Sequence, residues 1–342
     1  MMTRLDLPTI DARASGLRAR LFGRAELEAL AGAPSIAAFT RELELAGRLL
    51  EPIERPASTA TVESAIRHTA ALHLRVLSRW AGPGPALDVF YADQDRRSLR
   101  ALMRGALQAA PSEERLAGLL PTPRLPERAL TLLARQPTPA RVAAQLVLLQ
   151  HPDAGRLSAL TARAHPVLLD LERALVSGFA ERSLAAARGG DRNLREVARQ
   201  RIDVCNLEMA LTFASGPRDV EPSVLFTEGG SALVRAGFVE ACRAPSVADA
   251  TRRLEHALEG SPLQSVARSA GGAPARLELL AFRQVLLAQR RVARLDPLGS
   301  APLVLFMLRL QAQSDDLRRL AWGATLGAPA EMIRAELVTP WN

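Results

Sequence analysis

At 342 residues, 48% hydrophobic and 23% charged, the chain has the make-up of a folded soluble protein large enough for two or three compact units, which excludes disorder. It contains no lysine, so all 44 basic residues are arginine, and against 36 acids they leave a net charge of +8. The arginines are interleaved with acids along the whole chain, and aromatic residues make up only 4%. Neither the basic tracts nor the stacking platforms of a nucleic-acid binder are present.

From the N-terminus, Met1 to Arg20 lacks the apolar stretch of a signal peptide. Leu27 and Leu30, then Pro34-Ser35, then Phe39 and Leu43 read as a helix, a tight turn and a second helix capped by the serine. Val62, Ile66, Thr69, His73, Val76, Leu77 and Trp80 mark a long amphipathic helix that ends at Gly82-Pro-Gly-Pro85. The next helix carries Asp95-Arg-Arg-Ser98-Leu99-Arg100 and an apolar stripe of Leu99, Leu102, Met103, Ala106 and Leu107. Leu130, Leu133, Pro137-Thr138, Val142 and Leu146 then repeat the helix–turn–helix pattern, with Pro139 at a first helical position that needs no N–H. One helix is expected from Ala154 to Gly189-Gly190, followed by a helix with Asp203-Val-Cys-Asn206-Leu207. Phe238, Ala241, Pro245-Ser246, Ala250 and Leu254 form the pattern a third time, and Asp249 approximates a capping box. A further helix precedes Leu295-Asp-Pro297. The last long one has Leu303, Phe306, Met307, Leu310, Leu317, Leu320 and Ala321 on one face and Gln313-Ser-Asp-Asp316-Leu317 within it. Its most apolar run, Ala301 to Leu308, stops at Arg309 and is too short to span a bilayer.

The landmarks recur at matching intervals. Asp95 to Asp203 and Pro137 to Pro245 are both 108 positions, and Leu207 to Leu317 is 110. Two independent features moving together argue for duplication. The expectation is therefore an all-α protein of three similar units, residues 1–115, 116–223 and 224–342, that stack as a solenoid or close around an axis.

Catalytic chemistry is missing. Without lysine there is no phosphate-binding loop of the usual kind and no Schiff base, and Gly229-Gly230-Ser231 lacks the closing glycine of a nucleophile elbow. A calcium loop starting at Asp93 fails, because Ser98 and Arg104 occupy its sixth and twelfth positions. The histidines are His68, His73, His151, His165 and His256. Only the first two are close, and they point about 140° apart on a helix. No metal, cofactor or catalytic residue is therefore assigned. His73 reads as a hydrogen-bonded core residue and Cys205 as a small buried one. Asp95 and Asp203 read as helix caps or arginine partners, and Trp80, Trp322 and Trp341 as packing. Cys205 and Cys242 have no paired spacing, which fits a reducing compartment.

Several segments resemble the C subunit of the prokaryotic V/A-type rotary ATPases, known as the d subunit in eukaryotic vacuolar ATPases. They are Asp296-Pro-Leu-Gly-Ser-Ala-Pro302-Leu-Val-Leu-Phe306, Asp316-Leu-Arg-Arg-Leu320-Ala-Trp-Gly323 and Pro329-Ala-Glu-Met-Ile-Arg334-Ala-Glu-Leu337, with Arg201-Ile-Asp203-Val-Cys-Asn206-Leu207 and Thr227-Glu-Gly229-Gly230 in the middle. Ser314, Asp316 and Ala324 depart from the family pattern, which has an acid or amide, an asparagine and commonly a lysine there. The resemblance implies a funnel of three helical units around a pseudo-threefold axis, without catalytic activity of its own. Its partners would be the central shaft (D- and F-type subunits) and the proteolipid ring of the membrane sector. It would be cytoplasmic, on the inner face of the membrane, reaching the bilayer only through those partners and binding no nucleic acid. Arg96, Arg97, Arg318 and Arg319, beside the repeated landmark, are the candidate shaft contacts, because exposed guanidinium forks pair with carboxylates. The alternative is an unrelated helical-repeat scaffold, which would co-purify with neither shaft nor ring.

Overall fold

The computed structural model describes residues 7–82, 84–163, 166–216, 220–271 and 274–339. His165 and Trp341 lie outside them. Within the described residues the chain is all-helical, with 72% of residues in helix and no strand. In chain order the helices are α1 (Leu7–Arg18), α2 (Arg24–Leu30), α3 (Ile36–Leu45), α4 (Thr59–Ala81), α5 (Pro85–Leu107), α6 (Ser112–Leu116), α7 (Glu127–Ala134), α8 (Pro139–Leu148) and α9 (Ala154–Thr161). They continue with α10 (Leu168–Arg188), α11 (Arg192–Ala214), α12 (Arg235–Cys242), α13 (Val247–Ala257), α14 (Leu263–Ala270), α15 (Pro274–Leu295), α16 (Ala301–Leu326) and α17 (Ala330–Glu336). A short 3-10 turn, Pro222–Leu225, precedes α12.

The three helix–turn–helix patterns are α2–α3, α7–α8 and α12–α13. Each second helix is capped as its sequence requires, a hydroxyl accepting from the amide three residues on: Ser35 from Ala38 at 3.2 Å, Thr138 from Arg141 at 3.3 Å and Ser246 from Asp249 at 3.1 Å. Each cap satisfies one amide that the first helical turn leaves free. The single helix expected from Ala154 to Gly190 is instead two, α9 and α10. Pro166 lies in the gap between them, and its missing N–H and the clash of its ring with the preceding turn oppose a continuous helix there.

Packing joins distant parts of the chain. One apolar cluster unites Leu99, Met103, Leu130, Val142 and Leu171 from α5, α7, α8 and α10. A second unites Leu207, Phe238, Leu254 and Leu277 from α11, α12, α13 and α15. The third is not contiguous: Leu27, Phe39 and Val62 from α2, α3 and α4 pack on Leu317, Leu320 and Ile333 from α16 and α17. The first helix pair thus finds its long helix at the other end of the chain. In the stripe expected on α5, Leu99, Leu102, Met103 and Ala106 are buried, but Leu107, at the helix end, is exposed. Gly327, at φ 64°, closes α16 in the left-handed conformation that glycine adopts without a Cβ penalty.

Candidate functional site

The three long helices that carry the repeated landmark, α5, α11 and α16, touch one another pairwise. Their N-terminal halves enclose a small apolar gap lined by Val89, Phe90, Leu194, Val197, Val304 and Met307. One helical turn further on, the contact becomes polar. Arg201 donates to Asp93, 108 positions away, and the Gln94 amide donates to Gln311 Oε1 at 2.9 Å. Beyond this layer the helices frame an open cavity of about 860 Å3. Its walls also include the start of α15 and residues 117–120.

Charge dominates the walls. Arg97, Arg100, Arg104, Arg115, Arg318 and Arg319 face the cavity with Glu114, Glu208, Glu278 and Asp315. Arg100 links three elements, donating to Glu172 on α10 at 3.0 Å and to Glu208 on α11 at 3.1 Å; Glu208 is again 108 positions away. Arg104 shares Glu172 at 2.7 Å, and Arg97 reaches Glu278 at 3.1 Å. Arg319 pairs with Asp316 at 3.3 Å and Arg318 with Asp315 at 3.6 Å. Burial and the adjacent Glu278 push Glu208 up to about 7, against the opposing pull of Arg100, Arg96 and Arg97. Burial also raises Asp93, but Arg201, Arg96 and Arg97 outweigh it and hold that carboxyl well below the usual range.

Of the four arginines singled out in the sequence, Arg97, Arg318 and Arg319 line the cavity. Arg96 does not fit the exposed position expected of it. It is only 4% exposed, donates to Asp93 at 2.8 and 3.1 Å, and its guanidinium lies over the Phe179 ring. One residue around a helix is 100°, which turns Arg96 onto the stripe of Leu99 and Met103 and Arg97 toward the cavity. Sequence reasoning missed Arg100, Arg104, Glu208 and Glu278. The first two follow Arg97 at three- and four-residue steps, a signal that could have found them, and the 108-residue interval leads from Arg100 to Glu208.

The polar positions of the landmark have another job. Asp95, Asp203 and Gln313 each hold the segment that leads into a short helix: α7, α12 and α2 respectively. Thr122 donates its hydroxyl to Asp95 Oδ1 at 2.5 Å. The amides of Ser231, Ala232 and Leu233 donate to Asp203 at 2.8, 2.9 and 3.1 Å. The Phe22 amide donates to Gln313 Oε1 at 2.7 Å. Asn206 and Asp316 do the same for a second segment. Asn206 exchanges two bonds with Thr227, and Asp316 accepts from the amides of Val338 and Thr339 at 2.6 and 2.8 Å. The sequence suggested helix caps or arginine partners at Asp95 and Asp203, and the structure corrects this. Asp203 supplies an acceptor for the Leu233 amide, which would otherwise be buried unsatisfied, and gathers the two amides before it, while Asp95 anchors its loop through a threonine hydroxyl.

The family described as ATP synthase (C/AC39) subunit matches residues 10–336. This chain belongs to that family. It is 25% identical over 339 residues to the C subunit of the A-type ATP synthase of Haloferax volcanii, covering 96% of each chain. It is 28% identical over 184 residues, half of each chain, to the C subunit of the A-type ATP synthase of Halorubrum lacusprofundi. The family is a structural rather than a catalytic part of the synthase.

The three positions expected to depart from the family pattern lie within the helical packing of this C/AC39 family member. Asp316 is buried on backbone amides, Ser314 donates to the Leu310 carbonyl within its own helix, and Ala324 is buried in the apolar cluster that joins the N-terminal helices to α16. Among the described residues no three His, Cys, Asp or Glu side chains are grouped to hold a metal, and no helix is long and apolar enough to cross a membrane. His73 is buried against Phe306 as expected, but its Nδ1 has no hydrogen-bond partner, and burial lowers its pKa. Cys205 and Cys242 are both buried and are not joined in a disulfide. Trp80 is partly buried under Arg13, whereas Trp322 is 41% exposed and donates to Glu63 at 2.8 Å.

Proposed function

We propose that this chain is the central-stalk socket of an A/V-type rotary ATPase, passing rotation of the central shaft to the membrane proteolipid ring during ion transport. Three helical units, from the duplicated spans 1–115, 116–223 and 224–342, stand around a pseudo-threefold axis between α5, α11 and α16. The N-terminal helices close the ring of units by packing on α16. The cavity receives the tip of the shaft, formed by D- and F-type subunits, and Arg97, Arg318 and Arg319 contact it. The body rests on the proteolipid ring at the inner face of the membrane and meets the bilayer only through that partner.

One observation carries this reading: three helices related by matched sequence intervals frame an open cavity of about 860 Å3. Binding sites for small molecules of this size are mostly apolar with a few polar groups, whereas these walls are crowded with charge, as a protein-docking surface can be. A rotary coupler also needs a stiff body, and partly buried ion pairs that tie α5 to α10, α11 and α15 supply lateral bracing. The test is reconstitution with purified shaft subunits and detergent-extracted ring. The expected result is one complex containing all three. A chain that binds neither, under conditions where shaft and head assemble, would reject the proposal.

A further inference from the structure

The cavity walls are not equivalent, and the difference has a consequence for what the cavity accepts. At one level of the three helices the matched positions are Arg100, Glu208 and Arg318, all facing the cavity. A threefold set of helices would offer a partner three rotational settings, but these side chains do not repeat. The α5 and α16 walls present Arg97, Arg100, Arg104, Arg318 and Arg319 against one acid, Asp315, whereas α11 and α15 present Glu208 and Glu278 and no basic residue.

The guanidiniums on the basic side are incompletely used. Arg104 has a 44% exposed side chain and shares its Glu172 carboxylate with Arg100. Arg319 leans on Asp316, whose two oxygens already accept backbone amides. Arg318 is 3.6 Å from Asp315 and lies against the backbone of Gly118, whose φ of +70° and missing Cβ leave the space it occupies. Each guanidinium carries five N–H donors in a planar fork that matches a carboxylate. Donors therefore remain free on one side of the cavity and not on the other.

We propose that the cavity is keyed by charge: it takes an acidic segment of its partner in one rotational setting, carboxylates toward α5 and α16, with an uncharged or basic side toward Glu208 and Glu278. This rests on the socket reading and adds the chemistry of the occupant and a single permitted orientation. Threefold backbone symmetry would let a shaft seat in three ways. Like-charge contacts in the two wrong settings leave one, so torque passes through a fixed register.

The test measures binding of the full-length chain to the purified D- and F-type shaft subunits of the same ATPase between 50 and 300 mM salt. Affinity is expected to fall at least tenfold over that range, and Arg319→Gln and Arg104→Gln each to weaken binding about tenfold at low salt. Thr212→Arg, which adds positive charge on the α11 wall, separates a keyed cavity from one that is merely basic. It weakens binding relative to a Thr212→Gln size control if the cavity is keyed. Tightening by Thr212→Arg overturns the single orientation. Salt-independent binding that both arginine variants leave within twofold overturns the acidic occupant while sparing the socket. No binding by the wild-type chain at any salt overturns the socket itself. Circular dichroism melts check that each variant is folded, and Arg319→Gln, at a 30% exposed side chain, decides the matter if Arg104→Gln is unstable.

Discussion

Replacing Asp203 should unfasten the segment that leads into α12. The carboxylate is fully buried and accepts three consecutive backbone amides, those of Ser231, Ala232 and Leu233. In Asp203→Ala the Leu233 amide is left buried without an acceptor, at a cost of ~1–3 kcal/mol, while the two more exposed amides recover part of their loss from water. Removing a buried charge returns something, since burial already raises the Asp203 pKa against the pull of those amides. The net expectation is about 2–4 kcal/mol, a large share of the ~5–15 kcal/mol that holds a domain folded. Gly230 supplies an independent perturbation, because a Cβ there would collide with the same carboxylate. Gly230→Ala should therefore cost a comparable amount, and the double variant less than the sum by about 1 kcal/mol or more. Urea unfolding followed by far-UV circular dichroism measures all three. Strict additivity, or an Asp203→Ala cost under about 0.5 kcal/mol, would show that the carboxylate does not hold this segment.

Three further outcomes follow from the same geometry. Ser35→Ala, Thr138→Ala and Ser246→Ala should each cost about 1 kcal/mol in urea unfolding, because each removes one cap of the same kind. Gly118→Ala should destabilise by about 1 kcal/mol or more and weaken shaft binding as well, since it forces a side chain into a left-handed position and displaces Arg318 from the cavity wall. Asp11, on α1, is buried with neither oxygen in hydrogen-bond geometry. Burial first, then Asp191 and Asp296, push it up to about 7, while the Leu303 amide opposes the shift. With its folded pKa raised, its contribution is intact below about pH 4 and is lost as pH rises through 7. Asp11→Asn should flatten that slope and gain about 1–2 kcal/mol at pH 8 after allowance for solvent screening, read from denaturation midpoints at pH 5 and 8.

Local chemistry made much of the fold legible. Pro-Ser and Pro-Thr turns announced three helix pairs because a cap needs only its own neighbours, and the 108-residue interval, legible before any contact was known, links Asp93 to Arg201 and Arg100 to Glu208. Pro166 was readable too, yet the strong helical pattern around it masked the break between α9 and α10. What sequence could not supply was pairing across distance. Nothing local says that α2 and α3 pack on α16, or that Asp203 reaches forward to Ser231, because burial of amides in a loop leaves no periodic trace. The cavity was half legible. Arg97, Arg318 and Arg319 were chosen by adjacency to a landmark, and adjacency gave Arg96 equal standing, although helical phase places it with Leu99 and Met103. The charged partners across the cavity lie on other helices, so Arg100 and Glu208 come together only in the folded chain.

Site-specific photo-crosslinking in the assembled ATPase tests the central claim most directly. A photoreactive residue is placed at Ser215 or Ala101 on the cavity wall, and a control at Leu148, a 75% exposed site outside it. The socket account predicts shaft adducts from both cavity positions and none from Leu148. Shaft adducts from Leu148 alone, in an intact and rotating complex, would contradict it.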